Sequence, residues 1–239
     1  MESTWLWIGT IGMTLGAIAF LFMGIKARQE DRPHYMLSFF IPLIAAANYL
    51  AMAVGEGDIT VNSGRIFYFA RYSDWAITTP LLLISLALVA SPHIIRKKPA
   101  LAIGLVLSDV YMILTGLVAG LSSSAIKYVW YIVSCGAFLA VLALIWGPLR
   151  AEADKNDTQA TGLFYTLSVI LSGLWIAYPI VWLVGSAGFN VIGTGIETLL
   201  YAVLDLAAKV GFGFILLINL GKMHTARNIN LRKDRMSLQ

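Results

Sequence analysis

The sequence is poor in charge, cysteine and histidine. Only 13% of its 239 residues are charged, 59% are hydrophobic, and the mean hydropathy is +0.78. A soluble domain is more polar and more highly charged than this. The single cysteine, Cys135, excludes an intrachain disulfide framework. The three histidines, His34, His93 and His224, fall at loops or segment ends, and no metal site is expected. The opening Met1-Glu2-Ser3-Thr4 lacks the positive region of a cleavable signal. No repeat period and no polar domain interrupts the chain, so one helical bundle is expected. The formal charge of +4 does not mark a nucleic-acid binder, because the basic residues are scattered between apolar blocks.

What the chain does have is long apolar runs. Seven of them, at 5–24, 35–54, 72–90, 100–121, 125–149, 161–184 and 195–220, are each long enough to cross a hydrocarbon core of ~30 Å. Pro42, Pro80 and Pro179 lie inside them, which membrane helices tolerate when neighbours satisfy the freed carbonyls. The fold class is therefore an all-α membrane protein, a seven-helix bundle over 1–221 followed by a basic tail over 222–239.

Lys and Arg set the expected orientation. Lys26, Arg28 and Arg32 follow the first run, Arg96, Lys97 and Lys98 the third, and Arg150 and Lys155 the fifth. Lys222, Arg227, Arg232, Lys233 and Arg235 follow the seventh, whereas the opposite loops offer only Arg65 and Lys127. The positive-inside rule places the N-terminus outside and the C-terminus in the cytoplasm of a multi-pass plasma-membrane protein. The tail is expected to be disordered. Between the second and third runs, Ile59-Thr60-Val61 and Ile66-Phe67-Tyr68-Phe69 flank Asn62-Ser63-Gly64, the pattern of a short β-hairpin.

Two runs carry ionisable groups at membrane depth. In the seventh, Asp205 and Lys209 are four residues apart and share one helical face. Such groups cost a few kcal/mol even on the mildest scale, so they are tolerated mainly where they work or are paired. Two readings stand: a structural ion pair, or a desolvated lysine of the kind that forms a Schiff base with a carbonyl ligand. In the third run, Arg71, Asp74, Thr78 and Ser85 line one stripe, with Asp74 and Ser85 separated by about 16 Å of rise. Both helices run inward, so Arg71, Asp74 and Glu197 lie toward the outer side and only hydroxyls toward the inner. A proton held by Lys209 finds its acceptors outward. A plain Arg71–Asp74 packing pair leaves the seventh-helix groups unexplained.

The run Arg71-Tyr72-Ser73-Asp74-Trp75, continuing to Thr78-Thr79-Pro80-Leu81-Leu82-Leu83, resembles the third-helix signature of microbial (type 1) rhodopsins. Leu204-Asp205 with Lys209-Val210-Gly211-Phe212-Gly213 resembles the seventh-helix signature, and Trp175-Ile176-Ala177-Tyr178-Pro179-Ile180-Val181-Trp182 the sixth. The likeness covers all seven runs and is nearest to bacteriorhodopsin and the cyanobacterial rhodopsins. It implies all-trans retinal joined to Lys209 as a protonated Schiff base, with Asp74 and Asp205 as counterions. It also implies a photoactive transporter in a lipid bilayer, not an enzyme, and a homotrimer. The family's aromatic cage matches Trp75, Trp175, Tyr178 and Trp182, with Tyr49 near the counterions. Thr79 and Leu82 fall on the chromophore's side of the third helix, Met112 and Gly116 match the ring end of the pocket, and Asp109 matches a protonated structural acid. Trp5, Trp7, Trp130 and Trp146 are read as ordinary packing.

Function divides on the departures from that pattern. The three third-helix positions that sort the family read Asp74, Thr78 and Ser85. An aspartate at the first disfavours a chloride pump, and the set differs from the Asn, Asp and Gln of a sodium pump. Ser85 stands where related pumps carry a cytoplasmic proton donor. Glu197 matches one carboxylate of the outer release pair, but Ala187 stands in place of the second. Leu82, where a glutamine tunes relatives to blue, implies green absorption. The expectation is a light-driven outward proton pump with Asp74 as primary acceptor and no carboxylic donor. The alternative is a photosensor signalling through a soluble transducer.

Overall fold

In hydrocarbon an apolar run has no hydrogen-bond partner for its backbone but itself, so each folds as a helix. In the computed structural model, which describes residues 2–61 and 64–223, the seven helices are α1 (Glu2–Gly24), α2 (Arg32–Ala53), α3 (Phe69–Ala90), α4 (Pro99–Leu121), α5 (Ile126–Ala153), α6 (Thr158–Val184) and α7 (Thr194–Met223). The expected segments agree with them to within four residues at every end. Local chemistry sets several boundaries. Proline opens α2 and α4. The Asp157 side chain caps α6, accepting from the backbone N–H of Gln159 at 3.0 Å and of Ala160 at 2.9 Å.

The hairpin between α2 and α3 is shorter than its sequence suggests. Strands β1 (Ile59–Thr60) and β2 (Ile66–Phe67) pair antiparallel, Ile59 opposite Phe67 and Thr60 opposite Ile66. The turn residues Asn62 and Ser63 lie outside the described residues; Gly64 has φ +77°, a conformation suited to glycine. The hairpin is fastened to the end of α4. Arg65 donates to the Gly120 carbonyl at 2.6 Å, and a Cβ on Gly120 would lie 2.4 Å from the Phe67 ring. At the opposite end, Asn156 donates to the Ala90 carbonyl at 2.6 Å. Lys222 and Met223 still belong to α7, and the remainder of the expected tail lies outside the described residues.

The helices face their surroundings as lipid requires. On α1, Ile11, Leu15, Ile18 and Phe22 recur at helical spacing and are exposed, while Met13, Ala17 and Phe20 are buried. α3 is the most buried of the seven and α5 the least. The main apolar core fills the half of the bundle away from the hairpin, where Leu82, Leu83 and Leu86 of α3 meet Leu163, Phe164, Leu167 and Leu171 of α6 and Phe212, Leu216 and Leu217 of α7. Two segments depart from the regular helices expected. Ile145–Leu149 of α5, containing Pro148, and Leu206–Gly211 of α7 are π-helical. A π-turn adds a residue to the turn and is frequent at functional sites. The one in α7 contains Lys209.

Candidate functional site

Lys209 sits inside the bundle between two carboxylates. Its Nζ donates to Oδ2 of Asp74 on α3 and lies 3.2 Å from Oδ1 of Asp205 on its own helix. Asp74 and Asp205 are 0% exposed and Lys209 2%, so bulk water does not reach the cluster directly. The two carboxylates are solvated very differently. Asp205 accepts from three neutral donors on three other helices: Tyr49 Oη of α2 at 2.7 Å, Trp75 Nε1 of α3 at 3.1 Å and Tyr178 Oη of α6 at 2.9 Å. Asp74 has, besides the lysine and among the described residues, only Thr78 Oγ1 at 3.1 Å, a hydroxyl also 2.9 Å from the Asp74 main-chain carbonyl. Tyr49 reaches Asp205 because Gly9 leaves room: a Cβ on Gly9 would lie 2.3 Å from the Tyr49 ring.

Beside this cluster lies an apolar, partly open cavity with about 690 Å³ of non-atom space, part of it open to the surroundings. Trp75, Thr79, Met112, Gly116, Trp175, Tyr178 and Trp182 all line it. Trp75 and Tyr178 also bond Asp205, so the cavity abuts the lysine at one end. Leu82 is fully buried but belongs to the leucine core with Trp175 and is not in the wall. Thr79 Oγ1 lies 2.7 Å from both the Trp75 carbonyl and Oδ2 of Asp109. A hydroxyl has one proton to donate, so both contacts are satisfied together when Asp109 is protonated and donates to Thr79. The second Asp109 oxygen has no partner among the described residues, which suits a neutral acid.

Toward the hairpin, Arg71 and Glu197 are buried and paired at 3.8 Å, and the Arg71 guanidinium lies 4.3 Å from the Tyr201 ring centroid. The Ser186 backbone N–H donates to Glu197 at 2.8 Å. Ala187 is buried in the wall of the same polar hollow and adds no carboxylate. In the other direction, Ser85 is buried and its hydroxyl has no partner among the described residues.

The comparisons with known proteins meet these observations. A family model described as bacteriorhodopsin-like protein matches residues 1–223. The chain belongs to the bacteriorhodopsin-like family. It is 45% identical to bacteriorhodopsin of Haloterrigena sp. (strain arg-4), covering 90% of this chain and 87% of that one, and 43% identical to archaerhodopsin-2 of Halobacterium sp. (strain aus-2), covering 90% and 84%. Among solved structures, thermophilic rhodopsin from Rubrobacter xylanophilus superposes with a TM-score of 0.89 at 44% identity, covering 92% of this chain and 96% of that one. Cyanorhodopsin from Calothrix sp. NIES-2098 superposes with 0.87 at 42%, covering 92% and 94%. The chain is thus a microbial rhodopsin, a multi-pass protein of the cell membrane within a family of light-driven proton pumps.

Bacteriorhodopsin-like proteins carry all-trans retinal as their chromophore. The residues here fit it: an apolar, aromatic-lined cavity suits a polyene, and a buried amine stands at its end. Some of the rhodopsin cavity wall was not evident from the sequence. Tyr131, Ser134, Cys135 and Phe138 of α5 line it at helical spacing, and Ser134 and Cys135 are mildly polar interruptions in an apolar run. Tyr201 lies four residues before Asp205 and shares its face, a spacing that points to the site.

Proposed function

We propose that this rhodopsin is a light-driven outward proton pump in which Asp74 is the primary acceptor and no carboxylic acid recharges the site from the other side. The observation that carries the reading is the direct Lys209–Asp74 hydrogen bond in a cluster whose further ionisable groups, Arg71 and Glu197, all lie toward the hairpin. The scarcity of Lys and Arg in the hairpin-side loops supports assigning that side to the exterior.

Retinal, which the Lys209 amine would hold as a Schiff base, would supply light absorption and photoisomerisation when bound. The rest falls to the chain's own residues. Trp75, Trp175, Tyr178 and Trp182 hold the polyene and exclude water. Asp205 already accepts from three donors, whereas Asp74 accepts from one hydroxyl and is the carboxylate with room to take the Lys209 proton. A proton on Asp74 removes a negative charge about one helical turn from Arg71, which favours pairing of the guanidinium with Glu197 and release on the hairpin side. Recharging of the Lys209 nitrogen draws on bulk water through the leucine core past Ser85.

A pH electrode in an unbuffered suspension of illuminated cells tests the reading. The medium acidifies, and a protonophore erases the signal. The partnerless Ser85 hydroxyl favours one second reading, a photosensor with slow recharging, which gives no acidification. A chloride-dependent signal that persists with protonophore points instead to an anion pump.

A further inference from the structure

Glu2 is a carboxylate at the hairpin end that the pathway above leaves unused. It lies in the first turn of α1, yet both of its oxygens are taken by other helices and loops. Oε2 accepts from Tyr68 Oη at 2.9 Å, and Oε1 accepts from Thr194 Oγ1. Tyr68 and Thr194 line the same polar hollow as Arg71 and Glu197. The Arg71 guanidinium stands 5.3 Å from the Tyr68 ring centroid. Glu197 is buried, whereas Glu2 is half-buried at the mouth.

The geometry points to Glu2 as the last proton-carrying residue of the exit path, occupying by position the role that Ala187 cannot fill. This rests on the pump reading. A proton from the Arg71–Glu197 hollow binds the Glu2 carboxylate, forming one O–H bond; that bond breaks when the proton passes to bulk water, and the carboxylate is restored. The groups facing Glu2 and its partners are Tyr68, Arg71 and Glu197, with Asp58 acting on Tyr68 from the loop. Burial first, and then the bond to Glu2, holds the Tyr68 phenol well above its ordinary range, so Tyr68 remains a donor.

The test is flash photolysis of the retinal-loaded protein with a pH-indicator dye in the medium, comparing wild type, Glu2→Gln and Tyr68→Phe. Glu2→Gln preserves size and one acceptor oxygen, its amide NH2 donating to the other hydroxyl instead, but cannot carry a proton. It delays the appearance of protons in the medium by about tenfold or more, while the flash-induced loss of visible absorbance keeps its wild-type rate. Tyr68→Phe removes the same tie between α1 and α3 and retains the carboxylate, and its protons appear on time. Unchanged release in Glu2→Gln, or an equal delay in both variants, overturns the inference and leaves the pump reading standing. Wild type that releases no protons overturns both.

Discussion

The half of the bundle between Lys209 and the hairpin and the half beyond Lys209 are built from different materials. The first holds Asp74, Asp205, Arg71, Glu197 and a set of tyrosines bonded to them. The second is a leucine and phenylalanine core in which Ser85 and Ser168 are buried hydroxyls without partners among the described residues. Among the described residues, carboxylates lie on one side of Lys209 and buried hydroxyls on the other. On the proposed pump reading, this static distribution sets the direction of transport and makes recharging from the apolar side slow.

The most severe way to break the contrast is to remove its origin. Lys209→Ala abolishes visible absorbance on addition of retinal while the bundle still inserts, as an absorption spectrum of the purified protein shows. Native protein absorbs in the green, and a blue pigment would contradict the reading of Leu82. Next, Asp74→Asn removes the first acceptor but preserves size, and light-driven acidification falls by about 100-fold or more on a pH electrode.

Ser85→Asp attacks the contrast from the other side. In wild type the proton that recharges Lys209 comes from bulk water, so recovery after a flash slows as pH rises, by about tenfold per unit where bulk protons limit the rate. An aspartic acid at position 85, desolvated and holding its proton at neutral pH, supplies that proton internally. Recovery then speeds by about 10-fold to 100-fold at alkaline pH, and its pH dependence flattens. Time-resolved absorbance across several pH values is the measurement, and wild-type recovery that is fast and independent of pH would reveal another internal donor. The smallest effect is expected from Ser172→Ala, which takes the acceptor from Trp146 Nε1, 3.0 Å away in the apolar half. It costs about 1–2 kcal/mol of stability, read by thermal denaturation, and leaves proton release unaltered.

Much of this was legible in the residues themselves. The seven helices follow from apolar length alone, because lipid forces the backbone to bond within each segment. Lys209, Asp74 and Asp205 stand out because ionisable groups at membrane depth are rare. The short hairpin was evident too, but not its anchorage, in which Arg65 and Phe67 dock on Gly120 far along the chain. The α5 wall of the cavity escaped notice since Tyr131 and Phe138 are ordinary residues for a membrane helix. Glu2 lay ahead of the first apolar run and figured in the sequence only as part of a stretch without positive charge.

By itself, the sequence determined that this is a seven-helix membrane protein with a buried lysine and two candidate counterions. Only the tertiary structure decided how those two carboxylates differ. The donors that saturate Asp205 come from Tyr49, Trp75 and Tyr178, which are 156, 130 and 27 residues away along the chain. The π-turn that carries Lys209 likewise has no signature in Leu206-Ala207-Ala208-Lys209-Val210-Gly211. Hydrogen bonds are short-ranged and directional, so their partners are set by how helices pack, and no periodicity within one helix encodes the neighbour's side chains.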